Sequence, residues 1–129
     1  GICDHVRFVG KQDQVEEIMA ISDLFLLTSE YESFGLSALE AMAAHVPVIS
    51  TNAGGLPEVN VHGETGYMAP VGQVKEMAEY GISILKDDEV LEGFKQRAYE
   101  HACLFDIKNI LPKYEALYEM VLMGKPVVS

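Results

Sequence analysis

Residues 23–50 contain two short apolar stretches separated by a polar loop and a helix-forming segment, and this order limits the folds open to the chain. Residues 23–27 (DLFLL) and 45–50 (HVPVIS) have the length and apolarity of buried strands. Between them, the apolar and small residues of 36–44 recur at helical spacing. A strand, a loop, a helix and a second strand predict a parallel pair joined by a crossover helix.

The rest of the chain repeats this alternation of strands and helices. Short strands are predicted at residues 6–9 and 67–69, with helices from residue 73, from Asp87 or Asp88, and from about Asp106. The predicted class is α/β, a Rossmann-like parallel sheet with helices on both faces. The helix after residue 73 is expected to turn one apolar stripe towards the core. That stripe consists of Val74, Met77, Ala78, Ile82 and Leu85.

Two turns next to the central helix have specific conformational requirements. His45 follows the predicted helix directly and precedes Val46-Pro47, so we expect it to be a structural stop of the helix, and His tolerates a positive φ better than most residues. Residues 51–57 (TNAGGLP) form a turn-rich loop, in which Pro57 suits the first turn of a short helix. The glycines of this loop are compatible with close packing or with close approach of a ligand.

The start of the central helix is the candidate ligand site. Gly35 marks the turn from loop to helix, and the free amides at a helix N-terminus favour a phosphate group. Glu32 precedes this turn and Glu40 lies inside the helix, so a ligand along the helix start could contact both. Carboxylates accept strong hydrogen bonds from sugar hydroxyls, which suggests a nucleotide-sugar site. The alternative is a solvated Glu32 and a Glu40 on an ordinary polar helix face.

Residues 32–40 (ESFGLSALE) also carry a family resemblance. They resemble the Glu-x7-Glu motif of retaining glycosyltransferases of family 4, which have the GT-B fold. The same family pattern continues through four further motifs, over nearly the whole chain. These are residues 40–43 (EAMA), 46–48 (VPV), 54–58 (GGLPE) and 63–66 (GETG).

The resemblance implies roles for particular residues. Residues 1–129 would be part of the C-terminal, nucleotide-sugar-binding domain of a GT-B enzyme, with the acceptor-binding N-terminal domain absent from this chain. Glu40 would bind the ribose and Glu32 would be the catalytic-site residue that orients the hexose, although retention also raises the possibility of a carboxylate nucleophile. The implied donor-binding residues are Gly10, Lys11, Ser33, Phe34, Gly35, Leu36 and Glu40. No cofactor or metal is implied.

Residues 9–15 and 31–42 are similar to those of a family member that transfers N-acetylglucosamine to L-malate. The expected donor is therefore UDP-N-acetylglucosamine, and the expected acceptor is a small molecule bound by the absent domain. One alternative is transfer of another hexose to a lipid or polysaccharide. Another is a nucleotide-sugar-binding module without turnover. The chain alone is expected to fold but to be inactive.

Composition excludes several other classes. The net charge of −11 argues against nucleic acid and anionic membranes as partners, and no apolar run is long enough to span a membrane. The two cysteines lack metal-site spacing and indicate reduced thiols in a cytoplasmic protein, while the four histidines are scattered, so no metal site is expected. A response-regulator receiver domain is excluded because the first predicted strand ends in residues 9–11 (VGK), without an acidic pair.

Overall fold

The computed structural model describes residues 2–6, 15–30, 35–105 and 119–124. A 3-10 helix, Ile2–His5, precedes eight further elements, and residues 119–122 are also helical. The helices are α1 (Val15–Ala20), α2 (Leu36–Ala43), α3 (Leu56–Val59), α4 (Val74–Leu85) and α5 (Asp88–Ala102). The strands are β1 (Phe25–Leu27), β2 (Val48–Thr51) and β3 (Gly66–Ala69). Of the strand expected at residues 6–9 only Val6 is described, and most of the helix expected from Asp106 lies outside the described residues.

The three strands form one parallel sheet in the order β1-β2-β3. Phe25 of β1 lies opposite Val48 of β2, which in turn lies opposite Gly66 of β3. Successive residues of β2 point to opposite faces: Val48 joins the core packed by α2, α3 and α5, whereas Ile49 joins the core packed by α4 and α5. The expected α/β class, with a parallel sheet covered by helices on both faces, is therefore confirmed.

The end of α2 explains why β2 begins later than the sequence suggests. His45 adopts φ = 63°, a left-handed conformation, and this confirms the expected stop of the helix. The His45 N–H donates to the Met42 carbonyl at 3.0 Å and the Val46 N–H donates to the Ala41 carbonyl at 2.9 Å. This pair of bonds is the Schellman motif, which satisfies carbonyls at a helix end. Val46 therefore closes α2, and the strand begins at Val48.

Two of the expected helix starts are confirmed by their capping geometry. Asp87 is the N-cap of α5, and its side chain accepts hydrogen bonds from the N–H groups of Glu89 and Val90. Pro57 lies in the first turn of α3, where its missing N–H costs nothing.

A buried polar network joins β2, α3 and β3. The fully buried Asn60 amide donates to the carbonyls of Val48 and Tyr67, at 3.2 and 3.1 Å, and to Ser50 Oγ at 2.9 Å. Its Oδ1 accepts from Thr65 Oγ1 at 2.8 Å, and that hydroxyl accepts from the Val61 N–H at 2.8 Å. One side chain at the end of α3 thus holds the two neighbouring strands and the turn between α3 and β3.

Gly66 allows the close pairing of β2 and β3. A Cβ atom at this position would overlap the backbone of Val48, its partner across the ladder. The second glycine of the GETG motif, Gly66, therefore has a packing role in the sheet.

The prediction that one apolar stripe of α4 faces the core is wrong for four of its five residues. Met77 is buried as expected, but Val74, Ala78, Ile82 and Leu85 are exposed. The buried face consists instead of Met77, Gly81 and Ile84. The helix carries apolar residues on two sides, so its periodicity did not identify the side that meets the sheet.

No helix in the described part of the chain is long and apolar enough to cross a bilayer.

Replacing Asn60 tests the importance of the buried network. Asn60→Ala removes the nearer acceptor of the buried Thr65 hydroxyl and the donor to Ser50 Oγ and two carbonyls, and we expect it to lower the free energy of unfolding by about 1–3 kcal/mol. The matched control is Asn52→Ala, since Asn52 is exposed, and it should change stability by less than about 0.5 kcal/mol. Chemical denaturation would measure both, and equal effects would show that the network contributes little.

Candidate functional site

The candidate site is the N-terminus of α2, which begins immediately after Gly35. Gly35 has φ = 88° and ψ = 32°, and no side chain caps the helix among the described residues. The first intrahelical bond there is donated by the Leu39 N–H to the Gly35 carbonyl at 3.1 Å. The amides of the preceding helical residues have no intrahelical acceptor, as at any helix start, and can meet an anionic ligand.

Gly35 is held against α3. A Cβ atom added to Gly35 would lie 3.2 Å from Leu56 Cδ2 and 3.5 Å from Val59 Cγ2, and both of those side chains are fully buried. The absence of a side chain therefore serves two purposes, the left-handed conformation and contact with α3. This contact fixes where α2 starts relative to the sheet.

The loop after β1 is tied to the end of β2. Thr51 Oγ1 donates to the Ser29 carbonyl at 2.7 Å, and Thr51 is almost completely buried. Because β1 and β2 are parallel, their carboxyl ends lie at the same edge of the sheet. Open parallel sheets bind their ligands at this edge, next to the helix starts.

Two predicted donor-binding side chains lie together on α2. Leu36 and Glu40 are four residues apart, so they occupy the same side of the helix. The Leu36 side chain is 47% exposed, whereas Glu40 is half-buried. A half-buried carboxylate one turn from the free amides can reach a ligand bound at the helix start.

The structure brings Gly35, Leu36 and Glu40 together at the start of α2. The other predicted site residues lie outside the described part of the chain, and their roles stay predictions. These are Gly10, Lys11, Glu32, Ser33 and Phe34.

Two described basic side chains are engaged away from α2. Lys95 Nζ lies 3.1 Å from Asp23 Oδ1. Arg97 Nε donates to the Glu64 carbonyl at 3.0 Å, and its guanidinium lies 4.6 Å from the centre of the Phe94 ring. Both of these basic side chains therefore already have partners.

Two further observations concern titratable groups. Residues 2–6, 15–30, 35–105 and 119–124 contain no cluster of three or more His, Cys, Asp or Glu side chains that could hold a metal ion. Tyr80 donates to Glu76 Oε1 at 2.9 Å, and this hydrogen bond raises the pKa of Tyr80 above its ordinary value of 10.0. Tyr80 stacks on Tyr67 of β3, with ring centres 4.5 Å apart.

The residues that support the site were not identified from the sequence. Thr51 and Asn60 both occur in segments that were predicted as loop or helix end, and both are buried and hydrogen-bonded. Their partners are up to 22 residues away in the chain, so no local pattern indicates the contact. An Asn directly after an apolar helical turn is the only signal the sequence offers for Asn60.

The packing role of Gly35 can be tested by comparing it with Gly63, a glycine of almost the same φ. Gly63 has φ = 85° and an added Cβ there would meet nothing within 4 Å. We expect Gly63→Ala to cost about 1 kcal/mol of stability from backbone strain alone. Gly35→Ala should cost about 2–3 kcal/mol, because contact with Leu56 adds to the strain. Thermal or chemical unfolding measures the difference, and equal losses would rule out the packing role of Gly35.

The sequence matches one family model. The model for glycosyl transferases group 1 covers residues 1–101. The N-acetyl-alpha-D-glucosaminyl L-malate synthase of Bacillus anthracis is 49% identical over 120 residues, which are 92% of this chain and 32% of that protein. The 2-deoxystreptamine N-acetyl-D-glucosaminyltransferase of Niallia circulans is 39% identical over 98 residues, 75% of this chain and 25% of that protein.

Solved structures agree with the sequence matches. A crystal structure of Anabaena HepE in complex with UDP has a TM-score of 0.78 and 28% identity, over 92% of this chain and 33% of that one. The pneumococcal O-GlcNAc transferase GtfA, in complex with UDP and GlcNAc, has a TM-score of 0.70 and 26% identity over 92% of this chain and 25% of that one. The expected GT-B type of fold is confirmed by these neighbours.

The chain spans about a third or less of the length of the curated relatives it matches. Its family model covers most of the chain, from Gly1 to His101, and includes the start of α2 and the whole sheet. The chain therefore belongs to the group 1 glycosyltransferase family.

Proposed function

We propose that the full-length protein is a retaining, family 4 glycosyltransferase that transfers N-acetylglucosamine from its UDP donor to L-malate. The relative that is 49% identical to this chain carries the name of that reaction, and two matched structures contain UDP. In this proposal the described residues form part of the donor-binding site. The acceptor-binding half and the cations that face the diphosphate belong to other parts of the polypeptide.

The observation that carries the proposal is the placement of Glu40 beside the start of α2, where no described side chain caps the helix. The free amides after Gly35 suit a phosphate group, whereas a carboxylate next to a phosphate is unfavourable unless it binds a neutral partner. Ribose hydroxyls are such a partner, because one carboxylate accepts hydrogen bonds from two of them. In this arrangement the diphosphate lies on the helix start and the ribose lies over Glu40.

Glu32 is proposed to orient the hexose through its hydroxyl groups. The acceptor oxygen forms a bond to the anomeric carbon while the bond from that carbon to the diphosphate oxygen breaks, and UDP leaves with the bonding electrons. The departing phosphate oxygen takes the proton of the acceptor hydroxyl on the same face of the sugar. This route retains the anomeric configuration without a protein nucleophile.

The proposal also covers the domain organisation. Residues 1–129 would be part of the donor-binding domain of a cytoplasmic enzyme whose N-terminal domain binds the acceptor. The chain spans 32% of the B. anthracis relative, which leaves ample length for such a domain. The chain by itself would then lack a complete active site and would be inactive.

The reaction can be tested with the protein at its full natural length. The assay combines UDP-N-acetylglucosamine, UDP-glucose or GDP-mannose with L-malate, a lipid acceptor or a saccharide acceptor, and NMR identifies the anomer of the product. We expect transfer with UDP-N-acetylglucosamine and an α-linked product. If the sugar is transferred only to the lipid or the saccharide, L-malate is not the acceptor and the proposed reaction is wrong on that point. If none of the donors is hydrolysed or used for transfer, the result would favour a binding module without turnover.

The proposed role of Glu40 can be tested by measuring the binding of UDP, without an activity assay. Glu40→Gln should weaken binding of UDP by about 1.5–3 kcal/mol, which is roughly 10- to 150-fold in Kd, because charged hydrogen bonds to the ribose are lost. The control is Glu79→Gln, since Glu79 is exposed on α4 and has no part in the site. Isothermal calorimetry gives both constants. An unchanged Kd for Glu40→Gln would remove Glu40 from the nucleotide site.

A further inference from the structure

The hydroxyl group of Thr51 joins the end of β2 to the loop that follows β1. Thr51 is the last residue of β2 and is 1% exposed, and its Oγ1 donates to the Ser29 carbonyl at 2.7 Å. The backbone ladder between β1 and β2 ends one step earlier, at Leu27 and Ser50. The side chain of Thr51 therefore holds the chain just beyond the point where strand pairing stops.

The other end of this loop contacts the same part of the chain. Gly35, at the start of α2, lies against Leu56 and Val59 of α3. Both contacts are thus made by residues 51–59, a segment that runs from the end of β2 through α3. This segment fixes the two ends of the loop relative to one another.

The loop between these two contacts contains three of the predicted site residues. In the sequence, residues 32–34 lie between Ser29 and Gly35, outside the described part of the chain. A short connection that is held at both ends has fewer conformations than one that is held only where α2 begins. Because a small misplacement of a substrate-orienting group lowers the rate of a reaction, the bond to Ser29 matters for more than stability.

We propose that Thr51 is a positioning residue, whose hydroxyl holds the loop between β1 and α2 in the orientation that binds the donor hexose. This inference rests on the proposed function, in which Glu32 of that loop binds the hexose hydroxyls. Thr51 is buried and its hydroxyl proton is donated to Ser29, so its effect reaches the hexose only through the loop.

The alternative role of this hydroxyl is stability alone, and ligand binding distinguishes the two roles. UDP lacks the hexose and, in the proposed site, binds the start of α2 and Glu40. A UDP-sugar binds the loop as well. The ratio of the Kd for the UDP-sugar to the Kd for UDP therefore reports on the hexose contacts, and a general loss of stability weakens both ligands equally.

The first test replaces Thr51 in the full-length protein and measures both constants by calorimetry. Thr51→Val keeps the shape of the side chain and removes the hydroxyl, so the ratio of the Kd for UDP-N-acetylglucosamine to that for UDP should rise about 10-fold. Thr51→Ser keeps the hydroxyl, and its ratio should stay within about 3-fold of the original value. If the donor panel identifies another UDP-sugar, the ratio is measured with that sugar.

Ser83→Ala is the matched control. Ser83 Oγ donates to the Tyr80 carbonyl at 2.7 Å, the same distance as in the Thr51 bond, but this bond lies within α4. Its loss should leave the ratio unchanged. Thr51→Ala removes the same hydroxyl from a smaller side chain and should also raise the ratio, so the inference can be tested if Thr51→Val does not fold.

Turnover provides a second measurement. Thr51→Val should lower kcat by about 10- to 100-fold, because the hexose is no longer held in the reactive orientation, while the Kd for UDP changes by less than about 3-fold. A Kd for UDP that rises as much as the Kd for the UDP-sugar would show a general loss of structure and would overturn the positioning role.

A comparison with Glu32→Gln separates this inference from the proposed function. If Glu32→Gln raises the ratio and Thr51→Val does not, the positioning role of Thr51 is wrong and the proposed role of Glu32 stands. If only Thr51→Val raises the ratio, the loop binds the hexose through other groups, so the positioning role stands and the proposed role of Glu32 is wrong. If neither variant raises it, both roles are wrong.

Discussion

The buried amide of Asn60 is the interaction on which the described structure most depends. It binds carbonyl groups of β2 and β3 and the hydroxyl groups of Ser50 and Thr65, all in the interior. A buried amide is tolerated only when its polar atoms are satisfied, so these partners must stay in register. Asn60 directly follows α3, and the network therefore also fixes α3 relative to the sheet.

The position of α3 in turn fixes the candidate donor site. Leu56 and Val59 of α3 lie against Gly35, and Gly35 sets the point where α2 begins. The Thr51 hydroxyl adds a second connection, from the end of β2 to the loop that follows β1. A phosphate-binding helix start is effective only if its amides are held in place before the ligand arrives. The contacts around Asn60 and Gly35 provide that rigidity.

The candidate donor site differs in chemistry from the groove between β1 and α4. The edge formed by the carboxyl ends of the strands carries the candidate donor site, whereas the groove between β1 and α4 is apolar and lacks charged lining residues. Apolar lining suits the packing of a further protein segment, and a diphosphate sugar requires amides, hydroxyls and carboxylates.

Local sequence was sufficient to predict the three described strands, the helices α2 to α5, the cap at Asp87, the stop at His45 and the family, because each depends on residues close together in the chain. It also placed Gly35, Leu36 and Glu40 at one helix start. The exposed side of α4 and the partners of Asn60 were decided only by tertiary structure. α4 is apolar on two sides, and the contacts of Asn60 join separate strands, so in both cases the outcome depends on distant residues rather than on periodicity.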